Sequence, residues 1–120
     1  MLNVSPDGRP FAIEVIPEVR FSRITSPFAG AAYAMFLVSF AHGVPCVLTG
    51  AGVEAVYCNE PQHLKGYAWD FRSSNFPDRA KAFQELQKTL ISIDPRYRAV
   101  HIKAPHPDHF HIEWDGPQAE

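Results

Sequence analysis

The chain has little of what several specialised protein classes require. Two cysteines in 120 residues, Cys46 and Cys58, are too few for a disulfide scaffold and read as two reduced, packed thiols. Neither sign of charge dominates: 11 Lys and Arg stand against 13 Asp and Glu, a net charge of −2. A chain so near neutrality has no basic footprint for nucleic acid and no polybasic face for a membrane, so neither is expected as a partner. Long apolar runs are missing too. The longest, Phe28 to Ala41, has 14 residues including Gly30 and Ser39, whereas a spanning helix needs roughly 20. Met1 to Pro10 lacks a basic cluster followed by an apolar run, so a secretory signal peptide is not expected. No repeat, linker or low-complexity tract breaks the chain.

What is present is apolar and aromatic bulk. Hydrophobic residues make up 46% of the chain, with nine Phe, four Tyr and two Trp. That excludes a disordered chain and supports one modest core, so residues 1–120 are expected to form a single domain.

The order of elements follows from periodicity and punctuation. Phe11 to Ile16 alternates as a short strand. A helix begins near Ser26, a residue able to cap, with Pro27 suited to the first helical position. It is apolar nearly all round, as for a helix buried under a sheet, and Gly43 and Pro45 stop it. Val47 to Thr49 is a strand candidate, Gly50 to Gly52 a turn, Val53 to Tyr57 a further strand candidate and residues 59–65 a polar loop. Residues 66–72 alternate, with Tyr67, Trp69 and Phe71 on one face and Ala68, Asp70 and Arg72 on the other. A second helix is predicted from near Pro77 to about Ser92, with Ala80, Phe83, Leu86 and Leu90 as its core stripe. Asp94-Pro95 turns the chain into a hairpin of Arg98–Lys103 and His109–Asp115. This order predicts an α+β fold, a small and mainly antiparallel sheet packed on helices.

The chemistry sits in the histidines. On the last strand Phe110, Ile112 and Trp114 point one way, so His109, His111, Glu113 and Asp115 point the other. Strand 66–72 again places an aromatic trio on one face and Asp70 on the opposite one. Pairing these strands side by side would bring Asp70 near His109 and His111, with His63 entering from the loop before. That is the ligand chemistry of a catalytic zinc site, which takes three protein ligands and keeps a fourth position open. A further carboxylate or imidazole must accept a proton from the attacking water. His42 and His101, by contrast, read as satisfied core or surface residues.

The string His63-Leu-Lys-Gly66-Tyr-Ala68-Trp-Asp70 resembles the His-x-x-Gly-x-Ala-x-Asp motif of zinc D-Ala-D-Ala metallopeptidases. With Asp108-His-Phe-His111-Ile-Glu-Trp, the chain resembles the hedgehog/D-Ala-D-Ala peptidase superfamily, nearest to small phage and prophage peptidoglycan peptidases of endolysin type. The motifs cover residues 61–72 and 106–115. The resemblance implies Zn2+ held by His63, Asp70 and His111, with His109 steadying an oxyanion or shuttling a proton. It implies Asp108 as the general base, from its acidic-x-x-His spacing. His106-x-x-His109-x-His111 also resembles the His-rich arrangement of penicillin-insensitive murein endopeptidases, which makes His106 the alternative.

Two positions depart from the family pattern. Pro61 stands where a Ser is frequent, and the segment from Thr49 to Val53 lacks the Arg that holds a substrate carboxylate. No Arg occurs between Arg23 and Arg72, so Arg72, two residues beyond Asp70 on the same face, is the substrate-binding candidate. The implied function is a zinc peptidase cutting peptidoglycan stem peptides, of L-Ala-D-Glu endopeptidase or D-Ala-D-Ala carboxypeptidase type. Such an enzyme is made in the cytoplasm and acts at the bacterial cell wall. The alternative is a virion structural or interaction protein that contacts other virion proteins and keeps the fold, with or without zinc, but no turnover. A zinc-stabilised binding domain for a small ligand is a third reading.

Overall fold

In the computed structural model, residues 13–17, 25–50, 67–103 and 108–116 are described. Among the described residues the elements are β1 (Glu14–Val15), α1 (Pro27–Ala41), β2 (Val47–Gly50), β3 (Ala68–Arg72), α2 (Arg79–Ile93), β4 (Tyr97–Ile102) and β5 (His109–Trp114). They form a small α+β fold with one five-stranded sheet in the order β1-β2-β3-β5-β4. The sheet is mixed, because β1 runs parallel to β2 while the other neighbours are antiparallel. The predicted strand Val53–Tyr57, the loop 59–65 and Cys58 lie outside the described residues.

Alternation decides what the sheet buries. Trp69 and Phe71 of β3 and Phe110 and Ile112 of β5 are all 0% exposed and face the two helices. Phe110 is the aromatic centre, 5.5 Å from Phe76, 5.8 Å from Phe83 and 5.0 Å from His101 between ring centroids. From α1 come Ala31, Ala34, Met35 and Val38, and from α2 Ala82, Leu86 and Leu90. Cys46 is a free thiol packed in the same core, where burial pushes its pKa up to about 12 and keeps it protonated.

Both helices start where the sequence indicates, for partly different reasons. Pro27 occupies the first turn of α1, but the Ser26 side chain makes no capping bond. Ser26 is already helical in its backbone, and the carbonyls of Thr25 and Ser26 take up the Phe28 and Ala29 N–H groups instead. In α2, the Asp78 carboxylate accepts from the Lys81 N–H at 3.1 Å, a side-chain N-cap. Near α1 sits one close backbone approach. A Cβ at Gly30 would collide with the Tyr97 hydroxyl, which donates to the Pro27 carbonyl.

Two expectations need correction. The core stripe of α2 runs through Ala82, not Ala80, which is exposed. Nor is α1 buried all round, since Tyr33 is 49% and Leu37 37% exposed. The reason is architectural: α1 meets the sheet and α2 with one side only, whatever its composition.

The buried contribution of α2 is measurable. Leu86→Ala, at 0% exposure, should destabilise the protein by about 2–5 kcal/mol. Ile91→Ala, at 56% exposure on the same helix, should stay within about 0.5 kcal/mol. Urea unfolding of both variants checks the pair, and equal losses would contradict the burial pattern.

Candidate functional site

The polar face of the sheet is built by the β3–β5 register. Asp70 lies opposite His111, Arg72 opposite His109 and Ala68 opposite Glu113. Opposed antiparallel residues point to the same face, so Asp70, Arg72, His109, His111 and Glu113 share the side away from the helices. Asp70 Oδ1 is 2.9 Å from His111 Nδ1 and 3.5 Å from His109 Nε2. On the other side of the His111 ring, Nε2 is 3.5 Å from Glu113 Oε1, and Arg98 of β4 holds that carboxylate at 2.7 Å. Asp70, His109 and His111 are 1%, 3% and 3% exposed, which places this cluster inside the molecule rather than on its surface.

A glycine makes room for the carboxylate. Gly50 of β2 lies opposite Asp70, and a Cβ there would stand 2.9 Å from Asp70 Oδ2. The neighbouring Thr49 hydroxyl donates to the Asp70 carbonyl at 3.3 Å. Any larger residue at position 50 would compete with the carboxylate for the same space.

Carboxylate and imidazole are ligand types that a zinc ion accepts. Two ligands on a tetrahedral ion with bonds of roughly 2.0–2.1 Å stand about 3.3 Å apart. The Asp70 Oδ1–His111 Nδ1 separation of 2.9 Å is close to that. Among the described residues, no three His, Cys, Asp or Glu side chains form a metal-holding group by themselves. The third expected ligand, His63, and the alternative base, His106, lie outside the described residues.

Asp108 is brought to a different place. It precedes β5 on the helix side, where it accepts from the Ser73 hydroxyl and the Arg79 guanidinium and lies 2.6 Å from His101 Nε2. His101 packs against Phe83 and Phe110 there. Burial raises the Asp108 pKa, but hydrogen bonds from Ser73 and His101 and the charges of His101 and Arg79 outweigh it. The carboxyl is therefore held below its ordinary range. So the structure brings together Asp70, His109, His111 and Arg72, but does not place Asp108 beside them. His42, read as a satisfied residue, pairs with Glu85 at 2.5 Å and packs on Phe76.

Sequence reasoning missed Gly50 and Ser73 as supporting residues. Gly50 reads as a turn glycine, and only the pairing with Asp70 reveals its role. Ser73 was within reach, because the alternation of Trp69 and Phe71 continues to it. Among the described residues, no helix is long and apolar enough to cross a membrane. Compared with known proteins, the chain matches no family model, no curated protein and no solved structure.

The glycine has a direct test. Gly50→Ala should cost about 1–3 kcal/mol through overpacking against a buried carboxylate. In an Asp70→Ala background most of that penalty should vanish, since neighbours that share space are not additive. Urea unfolding of the two single variants and the double variant measures the coupling; additive losses would mean the two residues do not compete.

Proposed function

We propose that this chain is a zinc-dependent peptidase of the hedgehog/D-Ala-D-Ala type acting on peptidoglycan stem peptides. The observation that carries the reading is the register that sets Asp70 opposite His111, with Asp70 Oδ1 2.9 Å from His111 Nδ1 and His109 on the same face. His63, Asp70 and His111 would hold the ion. Bound zinc would supply a Lewis acid for the scissile carbonyl and an acidified water. His109, its Nε2 3.5 Å from Asp70 Oδ1, is the imidazole placed to move a proton or to donate to a developing oxyanion. Arg72, exposed and opposite His109, can reach a substrate carboxylate with its planar guanidinium. Such a contact matters because a loosely held peptide forfeits much of the advantage of proximity.

Two observations favour the second reading, a virion structural or interaction protein without turnover. Asp70, His109 and His111 are at most 3% exposed, whereas a substrate must reach the reacting groups. The Thr49–Val53 segment without Arg points the same way.

Metal analysis and digestion separate the two. The peptidase reading expects about one zinc per chain, lost in His63→Ala and in His111→Ala, together with release of fragments from purified peptidoglycan. Near-stoichiometric zinc in both variants would remove the ligand assignment. Bound zinc with no cleavage of any muropeptide would favour the structural protein. For an active chain, Arg72→Lys should raise KM several-fold at unchanged zinc content, and unchanged kinetics would clear Arg72 of substrate binding.

A further inference from the structure

Asp108 stands at the meeting point of three elements. Its Oδ1 accepts from Ser73, which follows β3 and is 0% exposed, and faces His101 of β4 at 2.6 Å. Its Oδ2 accepts from Arg79, the first residue of α2. The next residue, His109, is opposite Arg72 on the other face of the sheet. A carboxylate has roughly four acceptor positions, and these three groups occupy most of them. The sheet backbone stands between Asp108 and the Asp70–His111 pair, so its lone pairs are not aimed at a reacting centre there.

We propose that Asp108 is a positioning residue: by clamping the start of β5 to Ser73, His101 and Arg79, it steadies the approach of His109 and His111 to Asp70 within the register that the aromatic pairs set. Strand geometry makes the link, because alternation ties the direction of residues 109 and 111 to the placement of residue 108. Loss of the clamp leaves the β5 entry without its charged anchor, and the two histidines lose their fixed approach to Asp70. The clamp stands by itself; its effect on metal and turnover rests on the peptidase reading. This places Asp108 in a role other than the general base implied by the family motif.

The test compares Asp108→Asn, Ser73→Ala and the double variant at pH 7. The clamp expects a Tm loss of about 5 °C in Asp108→Asn, a smaller loss in Ser73→Ala, and a double variant clearly less affected than the sum. Zinc affinity, read by competition with a chromophoric chelator, should fall about tenfold in Asp108→Asn. In an active chain, Asp108→Asn should keep the acid limb of the kcat/KM profile. Wild-type Tm and zinc affinity in Asp108→Asn, additive Tm losses, or disappearance of the acid limb would each overturn the proposal. If the wild type binds no zinc and cuts nothing, the peptidase reading fails while the Tm cycle still decides the clamp. If Asp108→Asn does not fold, Ser73→Ala and Arg79→Gln serve instead, and unchanged Tm in both would overturn it.

Discussion

The antiparallel pairing of β3 with β5 is the constraint on which the rest of the molecule depends. Its register sets Trp69 against Ile112 and Phe71 against Phe110 on the helix side, and Asp70 against His111 on the other. A slip of one residue in either strand would exchange its faces, sending Asp70 or the two histidines into the apolar layer. An unpaired carboxylate there costs several kcal/mol at least. The aromatic residues therefore specify the polar site as firmly as the core they fill.

The polar side carries its own cost. Asp70 is 1% exposed and Glu113 6%, and charged groups so buried need partners. Imidazoles at 2.9 and 3.5 Å attend Asp70, and Arg98 attends Glu113 at 2.7 Å. Replacing such a cluster with packed hydrophobic residues is often neutral or stabilising. Stability alone thus gives no reason to keep two carboxylates and two imidazoles in the middle of a sheet. Gly50 sharpens the point, because a central strand position without a side chain weakens the sheet unless something needs the space. Here the Asp70 carboxylate uses it.

Much of this was legible in the residues. Alternation predicted the strands observed over Ala68–Arg72 and His109–Trp114 and both of their faces, and Pro27, Gly43 and Pro45 bracketed α1. The failures have physical causes. The apolar composition of α1 could not reveal that only one side meets the sheet, so Tyr33 and Leu37 remain exposed. Helical spacing admits neighbouring stripes on α2, and the rotation that seats Ala82 rather than Ala80 is set by the sheet it packs on. Ser26 has the chemistry of a cap, but its helical backbone leaves the first N–H groups to carbonyls.

Asp108 is the instructive case. The motif spacing assigns it to the metal side, whereas the alternation of Phe110, Ile112 and Trp114, extended back by one step, assigns it to the helix side. The structure follows the alternation. Spacing in a motif records which residues occur together, while strand periodicity dictates where each side chain can go, and the second is the stronger constraint inside a paired strand. Adjacent residues at the entry of β5 consequently serve opposite faces, Asp108 the helix layer and His109 the polar cluster. A change in how this hairpin seats on α2 must then pass through one peptide unit to the histidines, which couples the packing of the core to the geometry of the site.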